Sequence, residues 1–442
     1  MVMETLSTIH TPAGRESLIR TTGLWASGLL ALTAWLTTTG GTVATLFLLA
    51  ALFYLFGQAS FRRDPMVIVA LGWAVYIVAK TLYPDAGEQD TIEARWHDAG
   101  SWLQLTAFLP VAWFVRGNTR YITIILLTAL TGLMLGLVFK SHWSEILNSP
   151  LRNRTGFHLT IAYSGFIHSI AILGLILFAR RILGSPGQLL RLGWVLLLVI
   201  STYAILVSQS RQTWLMDIIL IPVAAGICRI LKIRFSTPPV QHAIWPVVLA
   251  ASLILGLIAV NHKLIVKRVH EEKTVVNSII THERAEAIPK TSFGYRYNVL
   301  LFGYQKWLEK PWAGWGTGSS KYFIEHSGNP LLIYQEPGKP TIWLRHFHNL
   351  YLEILIRFGL LGMVCCGIIA FMMVKSLLQA YRTGIIPADY LVFFLGGFAM
   401  MALYSLFGFP LLHPDGRSFV ILFAGLAYSF RYHDRSIVPL SG

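Results

Sequence analysis

Long apolar runs recur along the whole chain and are separated by short polar stretches. Each run covers about 15 to 25 residues, enough for a helix to cross a hydrocarbon layer of about 30 Å. The pattern therefore predicts an all-α integral membrane protein with about twelve spanning helices. The spans are expected over Leu24 to Thr38, Val43 to Gln58, Met66 to Leu82, Trp102 to Val115, Tyr121 to Phe139, Leu159 to Ala179, Gly193 to Val207, Thr213 to Cys228, His242 to Val260, Leu350 to Val374, Tyr390 to Phe409 and Ser418 to Phe430.

The composition agrees with a chain surrounded by lipid. Of 442 residues, 55% are hydrophobic and only 13% are charged, which is more apolar surface than one soluble core could hide. The net charge of +15 would suggest nucleic acid in a soluble protein. Membrane proteins, however, concentrate Arg and Lys in cytoplasmic loops, so we expect membrane lipids and no nucleic acid as partners. Cys228, Cys365 and Cys366 lie in or beside apolar runs and are expected to pack as small apolar residues.

Basic loops indicate the orientation of the predicted spans. They fall on one side of the membrane together with Arg15 and Arg20, and that side is expected to be cytoplasmic, with both termini inside. The first apolar run resembles a signal peptide, but this orientation requires that it stay in place as an anchor. The basic loops are Arg62/Arg63, Arg116/Arg120, Arg180/Arg181/Arg191, Arg229/Lys232/Arg234, Lys375/Arg382 and Arg431/Arg435.

The opposite side receives one long segment, so the chain divides into three parts. Residues 1–260 are expected to hold spans one to nine, 261–348 a periplasmic subdomain, and 349–442 the last three spans and a cytoplasmic C-terminus. Apolar residues at helical spacing from Leu264 to Ile280 predict an amphipathic helix on the membrane surface or the bundle. Prolines and glycines from Pro311 to Pro330 predict loop with short helices.

The first candidate cluster on the outer side is Ser208-Gln209-Ser210-Arg211-Gln212-Thr213-Trp214, at the mouth of two consecutive spans. An arginine at this position is costly. It could snorkel to the lipid headgroups, or it could form an anion site, since the guanidinium fork matches phosphate oxygens.

The second cluster contains aromatic and glycine residues. It runs from Phe293 through Arg296 to Trp312 and Trp315, with glycines at 314, 316 and 318. Such residues can pack a small subdomain or bind sugar, and the sequence leaves both readings open.

The third cluster, His346-Phe347-His348-Asn349-Leu350-Tyr351-Leu352-Glu353, opens the tenth span. A histidine there can accept a proton or can be an interfacial residue bonded to a carbonyl. The two histidines are two residues apart, which is the wrong spacing for metal ligands on one helix face. Glu353 is expected to face the bundle interior. The outer carboxylates have no paired pattern and are expected to be solvated surface charge: Asp85, Asp90, Asp98 and Asp415.

In this order, three features resemble the O-antigen ligase and polymerase superfamily. They are Ser-x-Ser-Arg-x-x-Trp from Ser208, then Arg296 with Pro-x-x-Gly-x-Gly-x-Gly from Pro311, then His-Asn-x-Tyr-Leu-Glu from His348 followed by Gly359 and Gly362. Arg-x-Gly-Phe from Arg154 resembles a weaker feature of the same proteins.

The resemblance implies a GT-C-type glycosyltransferase that takes a glycan from undecaprenyl diphosphate at the periplasmic face of the bacterial inner membrane. No cofactor and no metal are implied. Arg211 and Arg296 are expected to stabilise the negative charge of the leaving diphosphate. His348 is expected to take the proton of the acceptor hydroxyl. Attack on the face opposite the leaving group would invert the anomeric centre. The residues expected to contact substrate are Arg154, Ser210, Asn349, Tyr351, Trp312 and Trp315.

Members of this superfamily differ in their acceptor. Ligases use the lipid A-core oligosaccharide in lipopolysaccharide biosynthesis, polymerases use another lipid-linked repeat unit, and O-oligosaccharyltransferases use protein hydroxyls. The helix-mouth arginine and the His-Asn pair favour a ligase. A carrier or flippase for lipid-linked oligosaccharides is a different class, which should place charges through the bilayer depth or at both faces. Here the candidates collect at one face.

The orientation can be tested with topology reporters. Fusions at Arg181 and Arg234 should report a cytoplasmic location and a fusion near Asn329 a periplasmic one, because the basic loops mark the inner side. An external signal at Arg234 would contradict an outer-face site.

Overall fold

The computed structural model describes residues 12–83, 91–141, 143–144, 154–185, 187–230, 244–263, 265–267, 270, 281, 292–334, 342–343 and 346–433. These residues form a helical bundle with one antiparallel pair of two-residue strands, β1 (Ile333–Tyr334) and β2 (Ile342–Trp343). The helices are α1 Pro12–Thr33, α2 Thr38–Leu55, α3 Ala59–Arg62, α4 Pro65–Leu82, α5 Ile92–Leu103, α6 Phe108–Val115, α7 Thr119–Lys140, α8 Ile161–Leu177, α9 Ala179–Leu183, α10 Gln188–Ser208, α11 Arg211–Ile230, α12 Ile244–Val260, α13 Ser292–Glu309, α14 Ser319–Glu325, α15 Leu350–Arg382, α16 Ala388–Ser405 and α17 Pro414–Tyr428.

Five of the described helices, α4, α7, α10, α15 and α16, are long and apolar enough to cross a membrane. Shorter apolar helices occur within α2, α8 and α12. Every span expected from the sequence contains a helix, and the prediction of a helical, multi-pass membrane protein is confirmed. The number of twelve spans stays a prediction.

The amphipathic helix expected from Leu264 to Ile280 lies largely outside the described residues. The described part of the outer segment is built instead from α13, α14 and the strand pair. Its apolar core packs on the first turns of α15 and includes Val299, Phe323, Phe347, Leu352 and Ile356.

The main hydrophobic core joins the two ends of the chain. Helix α1 packs against α2, α6 and α7, and α17 packs against α6. Helix α8 packs against α10 and α16, and α11 also packs against α16. This arrangement brings the mouth between α10 and α11 next to the C-terminal end of α16.

Helix α15 is broken at Gly359, near the end of its first third. Gly359 has φ 63° and ψ −164°, a conformation that is almost restricted to glycine. Around such a break, the last carbonyls of one half and the first amides of the other lose their helical partners. In a membrane protein these groups must find other partners within the protein.

Residues 311–316 supply those partners. Their backbone runs alongside the break and exchanges four hydrogen bonds with α15, two in each direction. Gly314, with φ 64°, allows the close approach, because a Cβ there would overlap the backbone of Arg357 to Gly359. The four bonds run from Trp315 N to Ile356 O (2.7 Å), Gly316 N to Arg357 O (2.9 Å), Leu360 N to Pro311 O (2.8 Å) and Leu361 N to Trp312 O (3.1 Å).

Side chains of α4 complete the junction. The Tyr76 hydroxyl donates to the carbonyls of Phe358 (2.9 Å) and Ala313 (3.1 Å), and the Lys80 ammonium donates to the carbonyl of Gly314 (3.0 Å). The glycine- and tryptophan-rich motif is therefore, by its contacts, a structural junction between three parts of the chain.

The junction can be tested with glycine substitutions in α15. Gly359→Ala should lower the thermal stability of the purified protein, since the conformation itself costs about 1–3 kcal/mol for a residue with a Cβ. The new methyl group would also overlap the Trp312 carbonyl. The control is Gly367→Ala in the same helix, where a Cβ meets open space. Equal melting temperatures for the two variants would contradict the junction.

Candidate active site

The mouth between α10 and α11 is a two-residue turn. Helix α10 ends at Ser208, Gln209 has φ 48°, and α11 begins at Arg211. The Ser208 hydroxyl accepts from the Ser210 amide (3.3 Å), and the Thr213 hydroxyl donates to the Ser210 carbonyl (2.5 Å). These bonds fix Arg211 at the first position of α11, where the positive end of the helix dipole adds to its charge. Ser210 itself is buried.

Arg154 lies against the same turn. Its guanidinium Nε donates to the carbonyl of Ser208 (3.3 Å), and the Thr155 amide donates to the carbonyl of Val207 (3.3 Å). The structure thus brings together Arg154 and the helix mouth, which are 54 residues apart in the chain.

The histidine motif forms a tight turn before α15. The His348 amide donates to Nδ1 of His346 (3.1 Å), and the two ring centroids are 4.0 Å apart. Asn349 caps α15: its side chain accepts from the Leu352 amide (2.9 Å) and donates to the Leu406 carbonyl (3.0 Å). Since Nδ1 of His346 is an acceptor here, a neutral His346 carries its proton on Nε2.

Helix α13 brings Arg296 to this turn. Its positive charge acts on both His346 and His348. It also interacts with the Tyr404 phenol near the outer end of α16, and Tyr404 lies beside Gln212 of the helix mouth. Arg296 is therefore close enough to the histidine turn and to Tyr404 for its charge to act on both.

The environment keeps both histidines neutral near pH 7. Burial lowers the pKa of His348 well below 6.5, and the neighbouring His346 and Arg296 lower it further. Burial also lowers the pKa of His346 to about 3, with contributions from His413, Arg357 and Arg296. A neutral imidazole has one nitrogen with a lone pair. In His346 that nitrogen already accepts the His348 amide, so His348 is the ring of the pair that can accept a proton from a bound hydroxyl.

Backbone strain coincides with the sequence motifs. Among the described residues, four that are not glycine have positive φ: Arg116, Phe157, Gln209 and His348. Three of the four lie in the Arg-x-Gly-Phe, helix-mouth and His-Asn motifs. Such conformations cost about 1–3 kcal/mol each and tend to cluster at functional sites.

The expectation that Asp98 is solvated surface charge is wrong. Its carboxylate accepts from Arg357 Nε (2.6 Å) and from the Gly318 amide (2.8 Å), and its side chain is only 18% exposed. Arg357 also donates to the Ser320 hydroxyl (2.6 Å) and pairs with Glu353. The attraction of a nearly buried guanidinium explains why this acid is drawn out of water.

Sequence reasoning missed several polar residues around the histidine turn. Arg357 and His413 act electrostatically on His346, and Arg417 lowers the pKa of His413, a smaller effect than that of burial. The four-residue spacing from Glu353 to Arg357 was an available signal, since it is ion-pair spacing on a helix. His413 and Arg417 carry no recognisable motif. Within the described residues, no group of three or more His, Cys, Asp or Glu side chains could hold a metal ion.

The remaining predicted contacts have visible structural partners. The Tyr351 hydroxyl donates to the Ala402 carbonyl (3.0 Å), and the Trp315 indole donates to the Lys306 carbonyl (2.8 Å) and packs on Phe323. Trp312 is 69% exposed beside the break in α15. The break is ten residues, or about 15 Å, along α15 from Asn349, so Trp312 lies apart from the histidine turn. Trp315, in contrast, packs against the apolar cluster that contains Phe347.

Comparison with known protein families gives a match, and it covers the part of the chain that contains most of the candidate site. Residues 196–367 match the family model described as O-antigen ligase. The match covers less than half of the chain, yet it includes the helix mouth, Arg296, the histidine turn and the break in α15. No curated protein sequence matches the chain. Residues 196–367 are therefore a domain of the O-antigen ligase type.

Proposed function

We propose that the protein is an O-antigen ligase that transfers a glycan from undecaprenyl diphosphate to the lipid A-core oligosaccharide. The transfer would take place at the periplasmic face of the bacterial inner membrane, with both termini in the cytoplasm. The observation that carries the proposal is the position of Arg296, whose charge acts on two half-buried, neutral histidines and on Tyr404 beside Gln212 of the helix mouth. All of these residues lie in the matched domain.

The proposed reaction is a direct displacement. His348 accepts the proton of the acceptor hydroxyl, and the hydroxyl oxygen attacks the anomeric carbon of the donor sugar. The bond between that carbon and the diphosphate oxygen breaks, and the electron pair leaves with the diphosphate. Attack opposite the leaving group inverts the anomeric centre.

Arginine side chains are proposed to hold the diphosphate. Arg211 and Arg296 face the charge that develops as the bond breaks, and fixed guanidinium groups can stabilise it without a metal. Arg154, which lies against the Arg211 turn, extends the same cationic surface.

Acceptor and glycan contacts are proposed at the first turn of α15, at the helix mouth and beside the break in α15. Asn349 and Tyr351 hold the end of α15 against the loop and helix that follow α15. Ser210 shapes the mouth through its backbone. The exposed Trp312 ring could stack on a long glycan, whereas the contacts of Trp315 support a packing role.

The base can be tested by substitution of His348. His348→Ala should lower kcat for transfer by about 10²- to 10⁴-fold while folding and donor binding are largely kept, because proton acceptance is lost. His348→Asn should be nearly as poor, since it is polar but has no proton affinity. Purified protein with lipid-linked glycan and lipid A-core is the assay.

The matched control is His326→Ala, which removes an exposed histidine elsewhere in the outer segment and should leave transfer unchanged. Wild-type transfer by His348→Asn would make His348 a structural residue and would contradict the proposal. Use of a second lipid-linked repeat unit in place of lipid A-core would identify a polymerase.

The cationic surface can be tested at Arg154. Arg154→Lys should raise the KM for the lipid-linked donor more than the KM for the acceptor, because the charge remains but the fork geometry is lost. Arg120→Lys, an exposed arginine at the start of α7, is the control. A fully active Arg154→Ala protein would remove Arg154 from the site.

A further inference from the structure

Glu353 is a fully buried carboxylate in the first turns of α15, with 0% of its side chain exposed. One of its oxygens accepts the backbone N–H of Phe347, and the other contacts the Arg357 guanidinium. A carboxylate at such a position is stable only if it is paired and hydrogen-bonded. Both oxygens of Glu353 therefore have partners, and one of these partners, the Phe347 amide, belongs to the histidine turn.

Arg357 is itself fixed from a second side. It is nearly buried and donates to Asp98 on α5 (2.6 Å) and to the Ser320 hydroxyl on α14 (2.6 Å). Asp98 in turn accepts the Gly318 amide that precedes α14 (2.8 Å). The three charged groups Asp98, Arg357 and Glu353, which we call the charge chain, therefore connect α5 and α14 to the histidine turn.

The contact with Phe347 is an enlarged form of a helix capping box. In the usual box, an acidic residue at the third helical position bonds back to the amide of the cap residue. Here Glu353 is at the fourth helical position, and it accepts the amide of Phe347, two residues before the Asn349 cap. His348 is thus enclosed between Phe347, bonded to Glu353, and Asn349, bonded to Leu352.

This enclosure accounts for the conformation of His348. The residue has φ 53°, in the left-handed region that a residue with a Cβ seldom adopts. With the residues on both sides bonded to α15, the peptide units around His348 have little freedom to relax. The hydrogen bonds of Phe347 and Asn349 therefore restrict the direction in which the His348 ring points.

We propose that Glu353 is a positioning residue for His348, and that Arg357 and Asp98 hold its carboxylate against the Phe347 amide. The inference rests on the proposed function, since it assumes that His348 takes the acceptor proton. Glu353 acts through the backbone and does not touch substrate. Its loss would let the imidazole move away from the acceptor hydroxyl.

The experiment compares Glu353→Ala and Glu353→Gln in the purified transferase. Displacement of a reacting group by about 1 Å can cost about 10²-fold, so Glu353→Ala should lower kcat by about that factor, with donor KM changed less than about threefold. Glu353→Gln should lose less, because its amide oxygen can still accept the Phe347 amide. Melting temperatures of all variants are measured in parallel.

A matched control removes an ion pair elsewhere. Asp389 at the start of α16 pairs with Arg181 through two hydrogen bonds (2.6 and 2.9 Å). Asp389→Asn should therefore leave kcat within about twofold of wild type. Should Glu353→Ala fail to fold, Glu353→Gln and Asp98→Asn carry the test, since Asp98→Asn loosens the charge chain without altering the histidine turn directly.

The pH profile separates positioning from general destabilisation. His348 faces His346 in its own turn and Arg296 on α13, while His413 before α17 and Arg357 on α15 act on His346. In the wild type the pKa of His348 is well below 6.5, so kcat should fall only at pH values well below 6.5. A loosened turn admits water, which raises the pKa of His348 towards its ordinary value and moves this acidic fall of kcat to higher pH.

The outcomes are distinct. Folded Glu353→Ala protein with wild-type kcat and pH profile, beside an inactive His348→Ala, overturns the positioning role and leaves the proposed function intact. A uniform loss of kcat, with the acidic fall at its wild-type pH, also overturns it. A wild-type kcat for His348→Ala overturns the proposed function in which His348 is the base, whatever the Glu353 variants do.

Discussion

Backbone hydrogen bonding at a broken helix is the constraint on which the segment before α15 depends. Where α15 breaks at Gly359, amides and carbonyls are released in a membrane protein that cannot leave them without partners. Residues 311–316 meet that demand with their own backbone. Main-chain hydrogen bonds therefore set the position of residues 311–316 on α15. They also determine where α13, which precedes these residues, places its side chains.

Charge then determines the finer arrangement. Asp98 on α5 pairs with Arg357, which also pairs with Glu353 four residues away on α15. All three side chains are largely removed from water, so each is stable only in the presence of the others. On one side this group bonds to the Gly318 amide, two residues after the junction, and on the other it bonds to the histidine turn. A rigid scaffold of this kind suits a site whose histidines are half-buried and neutral.

The sequence predicted the helices and most of the site because these have local signals. Long apolar runs mark helices, and the motifs at Arg154, Arg211 and His348 coincide with strained turns. The role of the Pro311 to Gly318 motif could not be predicted from the sequence. Hydrogen bonds between two backbones require no particular side chains, so the glycines that allow the close approach are their only sequence signal. The partner of Arg357 was also hidden, because Asp98 lies 259 residues away and no periodicity connects them.

The junction at the break also sets an order of assembly. Residues 311–316 leave the ribosome before α15, and their backbone partners at residues 356–361 do not yet exist. Until α15 has been made, residues 311–316 lack the backbone partners that they have in the folded protein. A chain truncated before residue 350 would retain the sequence of α13 and α14 but would lose the α15 surface on which they pack, so α15 acts as their template.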